Sequence, residues 1–367
     1  MDAAWRTDAP NDPGAAERSV EDCVNVEELM ALGSTRLDPE VRNYYLAAAG
    51  DGETARHNLE AFTRRRLRPR VLADLAGLST ESTVLGTPVA MPIGISPTAE
   101  HGLAHPEGEV ATARAAGRAR VPFCASTAAT VAHDDIAAAA ASPRWFQLYV
   151  GPERAPNEAA IRRALDLGFE AIVLTVDVPI VGYRDLELQS RRAHPDSPYY
   201  HGHWGHLAPG YDALASGFRS TWADLDWIVA ACDGRPLVLK GVQSGEDAGR
   251  AVDHGVTAVW VSNHGGRQLD RSPATLDVLE EVVGATAGRA EVYLDGGIRR
   301  GIDALVALAL GARCVFIGRP ALFALAAGGE DGVVAALHLL HRELFIAMGL
   351  VGAPSVADLG PSLVGLA

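Results

Sequence analysis

Eight short apolar runs recur along this chain, each followed by a stretch of helical character. They are Val89 to Ile95, Val121 to Cys124, Trp145 to Val150, Ala171 to Val176, Leu237 to Leu239, Ala258 to Val261, Val292 to Leu294 and Cys314 to Ile317. Runs this short and this uniformly apolar read as strands buried on both faces, and strands that alternate with helices pair in parallel. Eight such units make a closed (β/α)8 barrel. A doubly wound sheet is the competing α/β solution, but it calls for a Gly-x-Gly-x-x-Gly turn after the first strand. Here the first strand runs into Ser96-Pro97-Thr98-Ala99. The fold expected is α/β: a (β/α)8 TIM barrel with an N-terminal helical segment and a long lid insertion after strand 4.

Polar residues gather where the runs end. Thr98 follows the first and Ser126 the second; Gln147 and Tyr149 lie on the third; Thr175 and Asp177 close the fourth; Lys240 follows the fifth. In a barrel these ends share one rim, and that rim carries the active site. The last two ends, Asp295-Gly296-Gly297-Ile298-Arg299-Arg300-Gly301 and Gly318-Arg319-Pro320, combine glycines, backbone N–H groups and arginines. That combination, after strands seven and eight, is where barrels bind phosphate.

The sixth run leads into Ser262-Asn263-His264-Gly265-Gly266-Arg267-Gln268-Leu269-Asp270. A histidine titrates near neutrality, an arginine three residues on matches a carboxylate, and paired glycines let backbone approach a ligand. A helix is expected to start at Ser272-Pro273, as cap and first-turn proline. By itself a histidine after a strand is more often capped, solvated or packed than catalytic. A further oddity narrows the choice: Lys240 is the only lysine among 32 Lys and Arg residues, placed between Leu237-Val238-Leu239 and Gly241. A compact ammonium there suits a role that a guanidinium cannot fill.

At 367 residues, with 48% hydrophobic residues, the chain can bury a sizeable core. A net charge of −14 argues against nucleic acid or an anionic membrane as partner, and no apolar run near the length of a membrane span is expected. The four cysteines lack metal-site spacing and read as buried small side chains in a reducing compartment. The polar N-terminus lacks a signal-peptide layout, so residues 1–25 are expected as a disordered tail, residues 26–367 as a single barrel domain, and the location as cytoplasmic. Residues 183–220 lack periodicity and read as a polar lid. Their His201, His203 and His206 make a metal site conceivable but poorly supported, and no metal is expected. Helices are expected from Asn25 or Val26, from Asp38-Pro39-Glu40 and over Asp51 to Phe62, and an amphipathic one over Gly332 to Leu350 closes the barrel.

From Tyr44 to about Met348 the chain resembles the FMN-dependent 2-hydroxy acid oxidases and dehydrogenases. The likeness rests on the nine-residue string above, on Pro97-Thr98-Ala99, His105-Pro106-Glu107-Gly108-Glu109, Phe146-Gln147-Leu148-Tyr149 and Leu174-Thr175-Val176-Asp177, and on Lys240-Gly241 and both phosphate loops. The resemblance implies oxidation of a 2-hydroxy acid to the 2-oxo acid with bound FMN, oxygen or another electron acceptor, and a homo-oligomer, by family a tetramer. It implies His264 as general base, Asp177 as its partner, and Tyr149 and Lys240 as further catalytic groups. Tyr44, Tyr149, Arg184 and Arg267 would hold substrate, with Ala128 beside its side chain. FMN would contact Pro97, Thr98, Ala99, Ser126, Gln147, Thr175, Lys240, Ser262, Asp295, Gly297, Arg299, Gly318 and Arg319. Ala128, where glycolate oxidases carry a bulky aromatic, implies a bulky or mandelate-like substrate. Departures stand at Gly182-Tyr183-Arg184, Glu187 and Ser190. Another FMN-binding barrel enzyme, or a flavin-binding barrel without turnover, stays open at this point.

Overall fold

The computed structural model describes residues 14–141, 143–193 and 220–366. Helices α1 (Val26–Arg36), α2 (Pro39–Leu46) and α3 (Glu53–Thr63) come first. Asn25 and Asp38 cap the first two by accepting from the backbone N–H of Glu28 and Glu40, and Pro39 fills the first turn of α2. Strand β1 (Arg65–Leu67) follows, then a hairpin of β2 (Ser82–Val84) and β3 (Thr87–Val89).

The alternating units are β4 (Ile93–Ile95), α4 (Gly108–Ala119), β5 (Phe123–Ala125), α5 (His133–Ala139), β6 (Arg144–Leu148), α6 (Arg154–Asp166) and β7 (Ala171–Thr175). They continue with α7 (Asp185–Ala193), α8 (Asp224–Ala231), β8 (Leu237–Val242), α9 (Gly245–Asp253), β9 (Ala258–Val261), α10 (Thr275–Thr286), β10 (Glu291–Asp295), α11 (Gly301–Ala309), β11 (Cys314–Ile317) and α12 (Arg319–Val351). Strands β4 to β11 close in sequence order into a barrel of eight parallel strands, β11 pairing with β4. Strand β12 (Val364–Leu366) returns antiparallel to β1.

Strand alternation divides the core in two. Trp145, Val173, Val238, Trp260, Tyr293 and Phe316 point into the barrel, where Val84 and Val89 of the hairpin join them. Ile172, Leu174, Leu239, Val259, Val261 and Leu294 point outward under the helices. Burial on both faces explains why these strands read as continuous apolar runs.

Five expectations are corrected. Val89 ends the hairpin, and the barrel strand begins only after Pro92, which has no N–H to give a ladder. Within the expected structureless insertion, Asp185–Ala193 is helical; residues 194–219, with the histidine cluster, lie outside the described residues. Helix α10 starts at Thr275, because Ser272 donates its N–H to Thr54 Oγ1 at 2.9 Å and the Pro273 carbonyl accepts from Asn263. The closing helix begins at Arg319, breaks at Gly328 and Gly329 and continues to Val351; it is long and apolar enough to cross a membrane by composition, yet it packs on α1, α4 and α11. Finally, Cys23 is buried in the core and Ser19 and Asp22 form a capped turn, so order begins before residue 26. Gly33 of α1 lets that helix meet α12: a Cβ there would lie 1.9 Å from the Phe323 carbonyl oxygen.

Candidate active site

One cavity opens at the C-terminal ends of the barrel strands. Its wall takes Pro97, Thr98 and Ala99 from β4, Ser126 and Ala128 from β5, Tyr149 from β6, Lys240 from β8, His264 and Arg267 after β9, Asp295, Gly297 and Arg299 after β10, and Gly318 and Arg319 after β11. Tyr44 enters from α2 and Arg184 from the start of the insertion. Gln147, Thr175, Asp177 and Ser262 are not on the wall. Gln147 is bonded to Ser126 and Ser262 to Lys240, Asp177 to His264, and Thr175 pairs in register with Lys240.

Residues 264–266 take three successive positive φ values, 58°, 64° and 75°. His264 is thus held in a sparsely populated conformation of the kind found at functional sites. Gly266 is obligatory here, since a Cβ would come within 2.5 Å of the Ala55 backbone N. The turn presents the imidazole to the cavity while Nδ1 lies 3.0 Å from Asp177 Oδ1. Burial pushes the His264 pKa below its ordinary value despite the upward pull of Asp177. Burial alone would raise the Asp177 carboxyl, but the charge and hydrogen bond of His264, with Lys240 beyond, hold it below the usual carboxylate range. The lowered His264 pKa favours the neutral imidazole beside the Asp177 carboxylate, the form whose second ring nitrogen can accept a proton.

Arg267 donates through Nη1 to the carbonyls of Tyr44 at 2.9 Å and Ala47 at 2.7 Å. Arg319 donates to those of Tyr45 at 3.0 Å, Ala47 at 3.2 Å and Gly265 at 2.9 Å. The end of α2 thus holds both guanidinium groups, as a helix C-terminus holds cations. Burial, then the neighbouring Arg184, lowers the Arg267 pKa to about 9. Among the described residues no carboxylate pairs with it, whereas Arg184 Nη1 lies 3.3 Å from Glu187 Oε2. Arg184 also donates to the Arg267 carbonyl at 3.0 Å and to Gln268 at 3.0 Å. One arginine is committed to protein acceptors, and the other has nitrogens to offer a ligand.

Lys240 is buried, 2.8 Å from Ser262 Oγ and 3.2 Å from Asp295 Oδ2. Burial would lower its pKa; the charges of Asp295 and Asp177 more than reverse that, so the ammonium is secure. Gln147 Nε2, Thr175 Oγ1 and Asp295 Oδ1 are buried with no hydrogen-bond partner among the described residues. Each such group costs about 1–3 kcal/mol unless something meets it.

Two residues of the site were given no role on the sequence alone. Asn58 of α3 lines the cavity and exchanges two 2.8 Å amide bonds with Asn263, tying α3 to the loop of His264. Glu187, registered only as a departure at the lid, is buried on the cavity wall against Arg184. Asn58 belongs to the stretch from Tyr44 to Leu72 that resembles the family, but a single Asn in a helix does not reveal its partner; Glu187 was traceable through its spacing of three from Arg184.

Residues 33–366 match the FMN-dependent dehydrogenase family. The chain belongs to that family. It is 41% identical over 363 residues to the L-lactate oxidase of a Nostoc species, covering 94% of this chain and 98% of the relative. It is 43% identical over 346 residues to glycolate oxidase 1 of Oryza sativa, covering 91% and 94%. A crystal structure of mandelate oxidase superposes with a TM-score of 0.86 at 39% identity, covering 94% of this chain and 98% of that one. The protein is an FMN-dependent enzyme that oxidises the CH–OH group of 2-hydroxy acids. FMN fits the residues present: the orphaned Gln147 and Thr175 groups suit the polar edge of its ring, and the glycine loops and the N-terminus of α12 suit its phosphate.

Proposed function

We propose that the preferred substrate is a 2-hydroxy acid with a bulky, aromatic side chain of the mandelate type. The observation that carries this reading is that the cavity faced by His264 and Arg267 is also lined by Ala128, Val178 and Val181, all small apolar residues. Filling such a space with apolar atoms gains about 25 cal/mol per Å² removed from water; a glycolate leaves it empty. The likeness to mandelate oxidase supports the same reading, while glycolate and lactate oxidases stand at similar identity.

In this proposal the substrate carboxylate lies on Arg267, with the Tyr44 and Tyr149 hydroxyls beside it. Burial raises both phenol pKa values, so the hydroxyls stay protonated and able to donate. Arg184 holds the Arg267 loop and adds positive charge. His264 takes the substrate proton on the ring nitrogen opposite Asp177, which stabilises the imidazolium that forms. Gln147, Thr175 and Lys240 hold the flavin ring, and Gly297, Arg299, Gly318 and the Arg319 backbone its phosphate; the Arg319 side chain is already engaged by carbonyls. FMN supplies the two-electron oxidation, and the electrons leave to oxygen or another acceptor.

The test is kcat/KM for glycolate, lactate, 2-hydroxyoctanoate and mandelate on wild type and on Ala128→Trp. Mandelate is expected to lead on the wild type, by about tenfold or more for a well-filled pocket, and to lose that lead on the variant. Preference for glycolate in the wild type, or mandelate turnover indifferent to the tryptophan, overturns the reading.

A further inference from the structure

The barrel interior holds chemistry that substrate oxidation does not use. Trp145, Trp260, Tyr293 and Phe316 are all at most 1% exposed and pack in one cluster. The Trp260 and Phe316 ring centroids lie 3.9 Å apart, Trp260 and Tyr293 6.0 Å, and Trp145 and Tyr293 5.5 Å with the rings stacked. Phe316 also lines the active-site cavity, so the cluster reaches its floor. At the opposite end, Tyr293 donates its hydroxyl to Glu291 Oε2 at 2.6 Å. Glu291 begins β10 at the foot of the barrel, is half-buried, and accepts the Leu85 N–H from the hairpin.

Packing alone does not account for these residue types. Trp260 Nε1 is buried and has no hydrogen-bond partner among the described residues; a phenylalanine fills a barrel without that cost. Indole and phenol share instead the property of giving up one electron more readily than aliphatic or phenyl side chains.

We infer that Trp260, Trp145 and Tyr293 form an electron relay that reduces a one-electron oxidant in the active-site cavity and moves the oxidising equivalent to the foot of the barrel. The steps balance. One electron leaves the Trp260 indole for the oxidant, such as the photoexcited, fully oxidised flavin of the family's FMN. An electron from Tyr293, directly or through Trp145, refills the indole. The Tyr293 phenol loses its proton to the Glu291 carboxylate as its electron departs. Return of the electron returns the proton.

Charge sets the direction. Lys240 Nζ lies 5.6 Å from the Trp260 ring centroid, and an ammonium there disfavours a positive charge resting on Trp260. Glu291 favours its passage to Tyr293, where loss of the proton leaves a neutral radical. Burial first and the Glu291 charge second push the Tyr293 pKa well up, so the phenol starts protonated. The gain to the enzyme is that Tyr44, Tyr149 and His264, which face the same cavity, are spared one-electron oxidation.

The relay depends on FMN and not on which acid is the substrate, so failure of the mandelate reading leaves it standing. The test is a blue-light pulse on the FMN holoenzyme, read by flavin fluorescence lifetime, transient absorption and low-temperature electron paramagnetic resonance. Wild type is expected to show a tyrosyl radical. Trp260→Phe is expected to lengthen the fluorescence lifetime severalfold and remove the tyrosyl signal. Tyr293→Phe is expected to replace that signal with a longer-lived tryptophan radical while keeping normal turnover of a 2-hydroxy acid, and Glu291→Gln to lower the tyrosyl yield. A tyrosyl signal that survives both Trp260→Phe and Tyr293→Phe comes from a tyrosine outside the relay, such as Tyr44, Tyr45 or Tyr149 on the cavity wall, and overturns the relay, as does the lack of any protein radical in wild type. If Trp260→Phe does not fold, Tyr293→Phe, which deletes one hydroxyl, decides alone.

Discussion

His264 and Asp177 act as a unit: the imidazole overturns what burial does to the Asp177 carboxyl, and Asp177 offsets part of what burial does to the imidazole. Left alone in that cavity, the imidazole would resist protonation and the carboxyl would resist ionisation; together they keep one neutral and the other charged. Replacing the base tests the unit directly. His264→Gln is expected to retain FMN but to reduce it with substrate about 10²–10⁴-fold more slowly. Anaerobic stopped-flow absorbance measures this, and rapid bleaching would remove His264 from the chemistry. Asp177→Asn makes a signed prediction. The Asp177 charge pulls the His264 pKa up, so its loss lowers that pKa further below 6.5. Since the neutral imidazole is the working form, the acid limb of the kcat/KM profile should move to lower pH even as kcat falls. A limb that stays in place, or moves up, shows that His264 is not the titrating group.

Helix α3 and the loop after β9 are tied to each other through side-chain hydrogen bonds and close packing. Asp270 accepts the N–H groups of Asp51 and Thr54, each at 2.9 Å, Gly266 packs on Ala55, and the Asn58–Asn263 amides pair. Asn58→Ala leaves Asn263 half-satisfied in a buried place and frees the Thr275 N–H that Asn58 accepts. A loss of about 1–3 kcal/mol in unfolding free energy is expected, measured by urea denaturation; an unchanged midpoint would show that water replaces the amide. These ties also explain what was legible in the sequence. The strands were readable because burial on both faces leaves no choice but apolar residues, as in Ala258-Val259-Trp260-Val261. The rim residues were readable because they follow those strands at once. Gln147, Thr175 and Ser262 could be named, but not placed behind the wall, since register and rotamer decide that. Asp185–Ala193 was taken for loop because it shows no apolar stripe in sequence. The Ser272 cap failed because a long-range bond to Thr54 outcompeted the local one.

Cofactor and fold are coupled across the whole chain. The cavity draws on the loops after β4, β5, β8, β9, β10 and β11 and on helices α2 and α3, so the groups that suit FMN come from both ends of the sequence. Gln147 Nε2, Thr175 Oγ1 and Asp295 Oδ1 are buried without hydrogen-bond partners among the described residues, and the Arg184 charge opposes that of Arg267. A ligand that binds only the folded state adds RT ln(1 + [L]/Kd), or about 2.7 kcal/mol at a hundredfold excess over Kd. In a chain of 367 residues, each kcal/mol moves Tm by on the order of 1–2 °C, extrapolating the size trend of smaller domains. Stripping FMN is therefore expected to lower Tm by roughly 3–5 °C, and adding FMN back to restore it in proportion to the logarithm of its concentration. Gln147→Leu should shrink that increment, and it should also lower the stability of the apoprotein, because Gln147 Oε1 accepts from the Ser126 hydroxyl and the Thr127 N–H. Calorimetry of apo and holo forms of both proteins distinguishes the cases. An increment that Gln147→Leu leaves unchanged would mean that Gln147 does not meet the flavin, and the orphaned amide would need another explanation.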